Sequence, residues 1–228
     1  MANGLSIENI SLSFRKELFA NASIASEETG MIAIMGLNGS GKSSLMKSIT
    51  GEQQLNAGEI AWNGESLTDK SSQDIAKIIG VSNGLVDIDL DVFTYVSLGR
   101  TPFLSWDLNL KEEDLEELEE VLECLSLQDL KHQNINSLSD GEKQRASLAK
   151  VLVQKTPVIL LDEPTAHLDV KAKKEVFQLL KALSQNKLVL FISHDILNVE
   201  QYADQVWLVQ NKKIEMLNNL ENLEQYFE

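Results

Sequence analysis

The segment Gly36-Leu37-Asn38-Gly39-Ser40-Gly41-Lys42-Ser43 satisfies the phosphate-loop pattern G-x-x-x-x-G-K-[ST] in full. Glycines at 36, 39 and 41 let successive backbone N–H groups converge on phosphate oxygens, and a helix starting behind them adds the favourable end of its dipole. Lys42 supplies a point charge. Ser43 places a hydroxyl where a Mg²⁺ ion bridging two phosphates takes an oxygen ligand. A second constellation, Val158-Ile159-Leu160-Leu161-Asp162-Glu163, is an apolar run ending in two carboxylates. At the carboxyl edge of a sheet, both stand beside the phosphate loop. Asp162 suits Mg²⁺, often through water, and Glu163, one residue on and directed differently, suits a general base that polarises an attacking water. The chemistry predicted is hydrolysis of a nucleoside triphosphate.

These residues need a scaffold that the flanking patterns supply. Met31–Met35 is a continuous apolar strand before the loop, and Lys42–Ile49 follows with the helical spacing of Leu45, Met46 and Ile49. Val158–Leu161 and Leu188–Ile192 are apolar and β-branched, as central strands covered on both faces are, and Lys171–Ser184 joins them as a crossover helix. Leu5–Phe14 and Ala20–Ser26 read as edge strands, and Gly58–Trp62 as a strand entering a turn at Asn63-Gly64. From Val92 the pattern turns helical. It is clearest in Lys111–Leu127, where Leu115, Leu118, Val121, Leu122 and Leu125 line one face and glutamates the other, and the acidic run reads as a solvated face. Beyond Val206 there is room for one more strand and a short helix. Cys124 stands alone in the sequence and reads as helix packing.

A phosphate loop with an acidic strand end is common to many NTPases, so the class rests on other segments. Leu138-Ser139-Asp140-Gly141-Glu142, leading into Lys143-Gln144-Arg145, resembles the signature of the ABC (ATP-binding cassette) ATPases, usually Leu-Ser-Gly-Gly-Gln. Glu163-Pro164-Thr165-Ala166-His167-Leu168-Asp169 resembles that family's D-loop, and Phe191-Ile192-Ser193-His194-Asp195 its switch-histidine segment. All follow in family order, and Phe14 stands near the position of the family's adenine-stacking aromatic. The resemblance implies an α/β fold: a P-loop NTPase core of ABC type with a mostly parallel central sheet, an N-terminal antiparallel β-subdomain and an inserted α-helical subdomain. Within one domain over 1–228, it implies a nucleotide-binding core over 1–82 and 158–228 and a helical lobe carrying the signature over 83–157.

The resemblance further implies ATP and Mg²⁺ as ligands and ATP hydrolysis as the activity. Phe14, Gly36, Asn38, Gly39, Ser40, Gly41, Lys42, Ser43, Ser44 and Asp162 would hold the nucleotide, with Ser139, Gly141 and Asp169 acting across a head-to-tail pair of chains. Lys42, Glu163 and His194 would be catalytic, His194 contacting the γ-phosphate and orienting Glu163 and water. Ser43, Asp162 and Asn83 would serve the metal. Asn83 stands where the family usually has glutamine, with an arm one methylene shorter, and Gln73 lies too early to substitute. Asp140 and Glu142 replace the usual glycine and glutamine and add negative charge, so Asp140 must point away from phosphate. His132 and His167 read as structural.

Leu98-Gly99-Arg100-Thr101-Pro102-Phe103, then Trp106 and the acidic helix, together with the Leu-Ser-Asp-Gly-Glu variant, look like ATPases of importers for iron-siderophores, haem or cobalamin. Partners implied are a second copy, a polytopic permease met near residues 83–106, and a substrate-binding protein. An exporter ATPase is the alternative; a soluble ribosomal or DNA-repair ABC protein fits the length and the ordinary helical lobe less well. The formal charge of −15 repels nucleic acid and anionic lipid at long range. No apolar run approaches the roughly 20 residues of a membrane span and the N-terminal segment has no signal-peptide pattern, so the chain is expected in the cytosol, on the membrane through its permease.

Overall fold

The computed structural model describes residues 3–14, 16–82, 87–104, 109–166 and 168–227, leaving aside the side chain of Phe14. Its strands are β1 (Leu5–Phe14), β2 (Lys16–Ala25), β3 (Gly30–Met35), β4 (Ala57–Trp62), β5 (Glu65–Ser66), β6 (Ile79–Ser82), β7 (Val158–Asp162), β8 (Leu188–Ile192), β9 (Gln205–Gln210) and β10 (Lys213–Leu217). Its helices are α1 (Lys42–Ile49), α2 (Ser72–Ala76), α3 (Val92–Ser97), α4 (Glu112–Cys124), α5 (Asp140–Leu152), α6 (Val170–Leu183) and α7 (Ile196–Tyr202).

Two sheets share the work. One is six-stranded in the order β10-β9-β3-β8-β7-β6, parallel from β9 to β6, with β10 antiparallel at the edge. The other is four-stranded and antiparallel, β2-β1-β4-β5. Strand periodicity explains the layering. On β3, Met31, Ala33 and Met35 face one apolar cluster, formed mainly with α3 to α7, while Ile32 and Ile34 face a second, formed with α1 and the antiparallel sheet. Both faces of β7 and β8 are thus covered, which is why those strands are apolar without alternation. The parallel arrangement puts the ends of β3, β6, β7 and β8 on one edge.

Four expectations need correction. Leu5–Phe14, read as an edge strand, lies between β2 and β4 and pairs with both. Leu115 is 41% exposed: Asp114 takes the inner position of the first turn of α4 to meet Arg100, and the buried stripe continues through Leu118, Val121, Leu122 and Leu125. Cys124, off that stripe, is exposed and is not a packing residue. The C-terminal segment forms two strands instead of one before a short 3-10 helix over Leu223–Tyr226. Asn211 and Lys212 both take left-handed angles at the β9–β10 turn, the geometry of a tight hairpin, with no glycine to announce it. Among the described residues no helix is long and apolar enough to cross a membrane.

Candidate functional site

The loop between β3 and α1 is shaped by glycine where no other residue fits. Gly36 has φ 151°, and a Cβ there would lie 2.4 Å from the Val209 carbonyl oxygen of β9. Gly41 caps α1 with φ 116° and brings no side chain to the helix start, so the first N–H groups have no partner within the helix. Lys42 is buried, and its Nζ donates to the loop's own carbonyls, Gly36 at 2.8 Å and Leu37 at 3.2 Å. Burial lowers its pKa, against the pull of Glu163 and Asp162, which raises it. Ser40 Oγ is buried without a partner, behind the loop.

The acidic pair arrives at the end of β7. Burial raises the pKa of Asp162, opposed by Lys42, Lys47 and His194. Burial also raises Glu163, opposed by His194 and reinforced by Asp162. Glu163 Oε1 is buried with no hydrogen bond, 3.5 Å from Nε2 of His194. His194 follows β8 between two anchored neighbours: Ser193, whose Oγ accepts from the Asp195 N–H, and Asp195, whose carboxylate accepts from the Asn198 N–H to start α7. The imidazole is thereby held at the sheet edge, more than half exposed.

Lys16, Leu18, Asn38, Gly39, Gly41, Lys42, Ser43, Ser44, Asp162, Glu163, Ile192 and His194 line one cleft of about 410 Å³. Ser43 and Asp162 also border an adjoining groove that runs to Val81 on β6. The donor set fits a magnesium-bound nucleoside triphosphate. Lys42 and the N–H groups at the start of α1 suit phosphate oxygens, whereas the partly buried carboxylates of Asp162 and Glu163, which share the cleft lining with Ser43, leave negative charge that a cation would satisfy. Asn83 and His167 lie outside the described residues, as does the Phe14 side chain.

Ser139 and Gly141 are not in the lining of this cleft. Ser139 caps α5 reciprocally with Glu142: Ser139 Oγ accepts from the Glu142 N–H, and the Glu142 carboxylate accepts from the Ser139 N–H at 2.8 Å and from Oγ at 2.7 Å. Asp169 caps α6, accepting from the Ala172 N–H at 2.8 Å. A Cβ on Gly141 would lie 3.4 Å from Leu168 Cδ2, so the signature and the segment after β7 touch within the chain.

Two contacts escaped sequence reasoning. Gln144 of α5 donates from Nε2 to the Glu163 carbonyl at 3.3 Å, across 19 residues, a pairing only the fold creates. Tyr226 and Phe227 share a cavity wall with Gly36, Leu37, Asn38 and Ser40, so the C-terminal turn reaches the rear of the loop. No local motif marks either contact.

A family profile described as ABC transporter matches residues 19–166. The petrobactin import ATP-binding protein FpuC of Bacillus anthracis is 34% identical over 189 residues, 81% of this chain and 70% of that protein. The hemin import ATP-binding protein HmuV of Pseudoalteromonas translucida is 30% identical, over 88% of this chain and 80% of its own. In structure, a chain of a metal-chelate type ABC transporter in an inward-facing conformation superposes with a TM-score of 0.83 at 24% identity, covering 98% of this chain and 87% of its own.

Proposed function

This chain belongs to the ABC transporter family and is an ABC-type ATPase, and from that premise we propose that two copies bind ATP head-to-tail and energise a permease importing an iron-siderophore, haem or cobalamin chelate. One observation carries the pairing. The cleft gathers Lys42, Ser43, Asp162, Glu163 and His194 but not the anion-binding helix start at Ser139, so each site lacks a wall that a second copy supplies.

Within that reading, Ser43 and Asp162 would hold Mg²⁺, with Asn83, the next residue in sequence after Ser82, as a further oxygen ligand; when bound, the metal offsets phosphate charge. Lys42 leaves its loop carbonyls for phosphate oxygens. Glu163, one of whose carboxylate oxygens is buried without a hydrogen bond, takes the proton of the attacking water as the water oxygen bonds to the γ-phosphorus and the bond from that phosphorus to the β-phosphate oxygen breaks, releasing ADP. His194 holds that carboxylate from the solvent side and reaches the γ-phosphate with its ring. Phe14 supports the base of the nucleotide. Loss of the bridging γ-phosphate then removes the charge that holds Ser139 of the partner copy against the loop, and the pair loosens.

The importer reading is supported by the two relatives, whose names are those of import proteins for petrobactin and hemin, more than by anything in the ATP site. We assign the segment near residues 83–106, within the helical lobe over 83–157, as the part that meets the permease. The test is affinity capture of the Glu163→Gln chain with ATP from detergent-solubilised native membranes. A polytopic permease with a chelate-binding protein beside it is the expected result; recovery of soluble proteins alone would withdraw the transport assignment and leave the ATPase chemistry standing.

A further inference from the structure

Glu163 takes a left-handed backbone angle, φ 49°. A residue with a Cβ keeps such a conformation only where its surroundings hold it. Three hydrogen bonds do so here. The Glu163 N–H donates to the Ile192 carbonyl at 3.1 Å, and the Glu163 carbonyl accepts from the Ala166 N–H at 3.1 Å. These two belong to the sheet edge and to the turn. The third comes from elsewhere: the same carbonyl accepts from Nε2 of Gln144, on α5. Gln144 is 3% exposed and its Oε1 is buried without a partner, so its amide is held in place by the donor end.

One turn further along α5, the Ser147 hydroxyl shares a buried hydrogen bond of 2.8 Å with Ser82 at the end of β6. Residues three apart share a helix face. That face therefore grips the ends of both β6 and β7, while the N-terminus of the same helix is the Ser139 cap. The helix that presents the signature is bonded to the backbone of the base.

We infer that Gln144 is a positioning residue for Glu163: its amide holds the left-handed turn that aims the carboxylate, and it ties that aim to the placement of α5. The link between sites that follows rests on the two-copy reading. In such a pair Ser139 of one chain faces nucleotide held by the other, whereas Glu163 serves nucleotide held by its own chain. Engagement of the signature at one site is then reported through Gln144 to the base of the other.

Gln144→Met keeps length and apolar bulk but removes the donor. The expected result is a fall in kcat of about a hundredfold, the scale of a small misplacement of a catalytic group, with KM for ATP changed less than about twofold. An unchanged kcat overturns the assignment. Mixed pairs separate positioning from simple damage to α5. With Glu163→Gln in one chain, only the other chain's Glu163 acts. Gln144→Met on the chain that keeps Glu163 should abolish most of the remaining rate; placed on the Glu163→Gln chain, it should keep the rate of the reference pair. Equal losses, or the reverse pattern, would show that Gln144 only maintains the signature helix and would sink the proposal. Sedimentation of the Glu163→Gln chain with ATP reads the pairing itself. If no pair forms, the two-copy reading falls with the link between sites, and the kcat–KM split still decides whether Gln144 positions the base.

Discussion

At the scale of single residues, burial sets what each charged group is fit to do. Lys42 is buried against its own loop carbonyls, so its replacement removes a charge without opening a core. Lys42→Ala is expected to weaken ATP binding by about tenfold or more, read by titration calorimetry. Glu163→Gln should instead retain binding and lower hydrolysis by about a hundredfold or more. The raised pKa of Glu163 gives two pH signatures. In the proposed mechanism the base acts as a carboxylate, so the acid limb of kcat should fall above the ordinary glutamate range, and a profile between about pH 5 and pH 8 locates it. For stability, a raised folded pKa means the folded state binds more protons than the unfolded, so stability falls as pH rises from the unfolded value through the folded one. Glu163→Gln should therefore melt at a higher temperature than the native chain above that window, with the gain vanishing below it; a gain independent of pH would contradict the assignment of burial as the cause. The phosphate loop, Asp162, Glu163 and His194 are legible in the sequence because each sits in a contiguous segment with its own spacing. The contact of Gln144 with Glu163 is not, because it depends on how α5 is laid across β7.

At the scale of elements, the 3-10 turn over Leu98–Phe103 is fixed to α4 and α5 by one guanidinium. Arg100 Nε donates to Asp114 at 2.7 Å, and Nη1 donates to the Val153 carbonyl at 3.1 Å. Gly99 makes the approach feasible, since a Cβ there would lie 2.1 Å from the Lys150 carbonyl oxygen. Asp114, with a side chain only 8% exposed, has its pKa lowered by the Lys111 N–H and then by Arg100. Arg100→Ala strands that carboxylate and is expected to cost about 2 kcal/mol, read by denaturant unfolding. The penalty should shrink at acid pH as Asp114 protonates; a constant penalty would mean the lost contact is packing against Phe103, over whose ring the guanidinium lies. The same pair explains why helical periodicity misplaced Leu115: the pattern counts apolar residues, and here a paired acid takes the inward position. The β9–β10 hairpin was illegible for a related reason, since Asn211-Lys212 adopts left-handed angles that glycine normally signals. Strands β3, β7 and β8 were legible because a strand covered on both faces must be apolar throughout.

At the scale of the whole molecule, the proposed head-to-tail pairing rests on what the cleft does not include. Ser139 lies outside the cleft of its own chain, and its hydroxyl is engaged with Glu142 at the start of α5. A large cationic side chain there has no path to the chain's own nucleotide, but in a head-to-tail pair it would stand where the partner's γ-phosphate and the helix N-terminus must meet. Ser139→Arg should therefore bind ATP as a single chain with about the native affinity, since Lys42, Ser43 and Asp162 are untouched. In the Glu163→Gln background, where nucleotide is retained, it should no longer sediment as a pair with ATP. Mixing it with Ser139-bearing chains should restore pairing only in part, because one composite site of the two then keeps a native signature. If Ser139→Arg instead lost ATP binding as a single chain, the signature would belong to the chain's own site, and the composite-site reading would fail. If it paired as readily as the native residue, the wall supplied by the second copy would be some other surface.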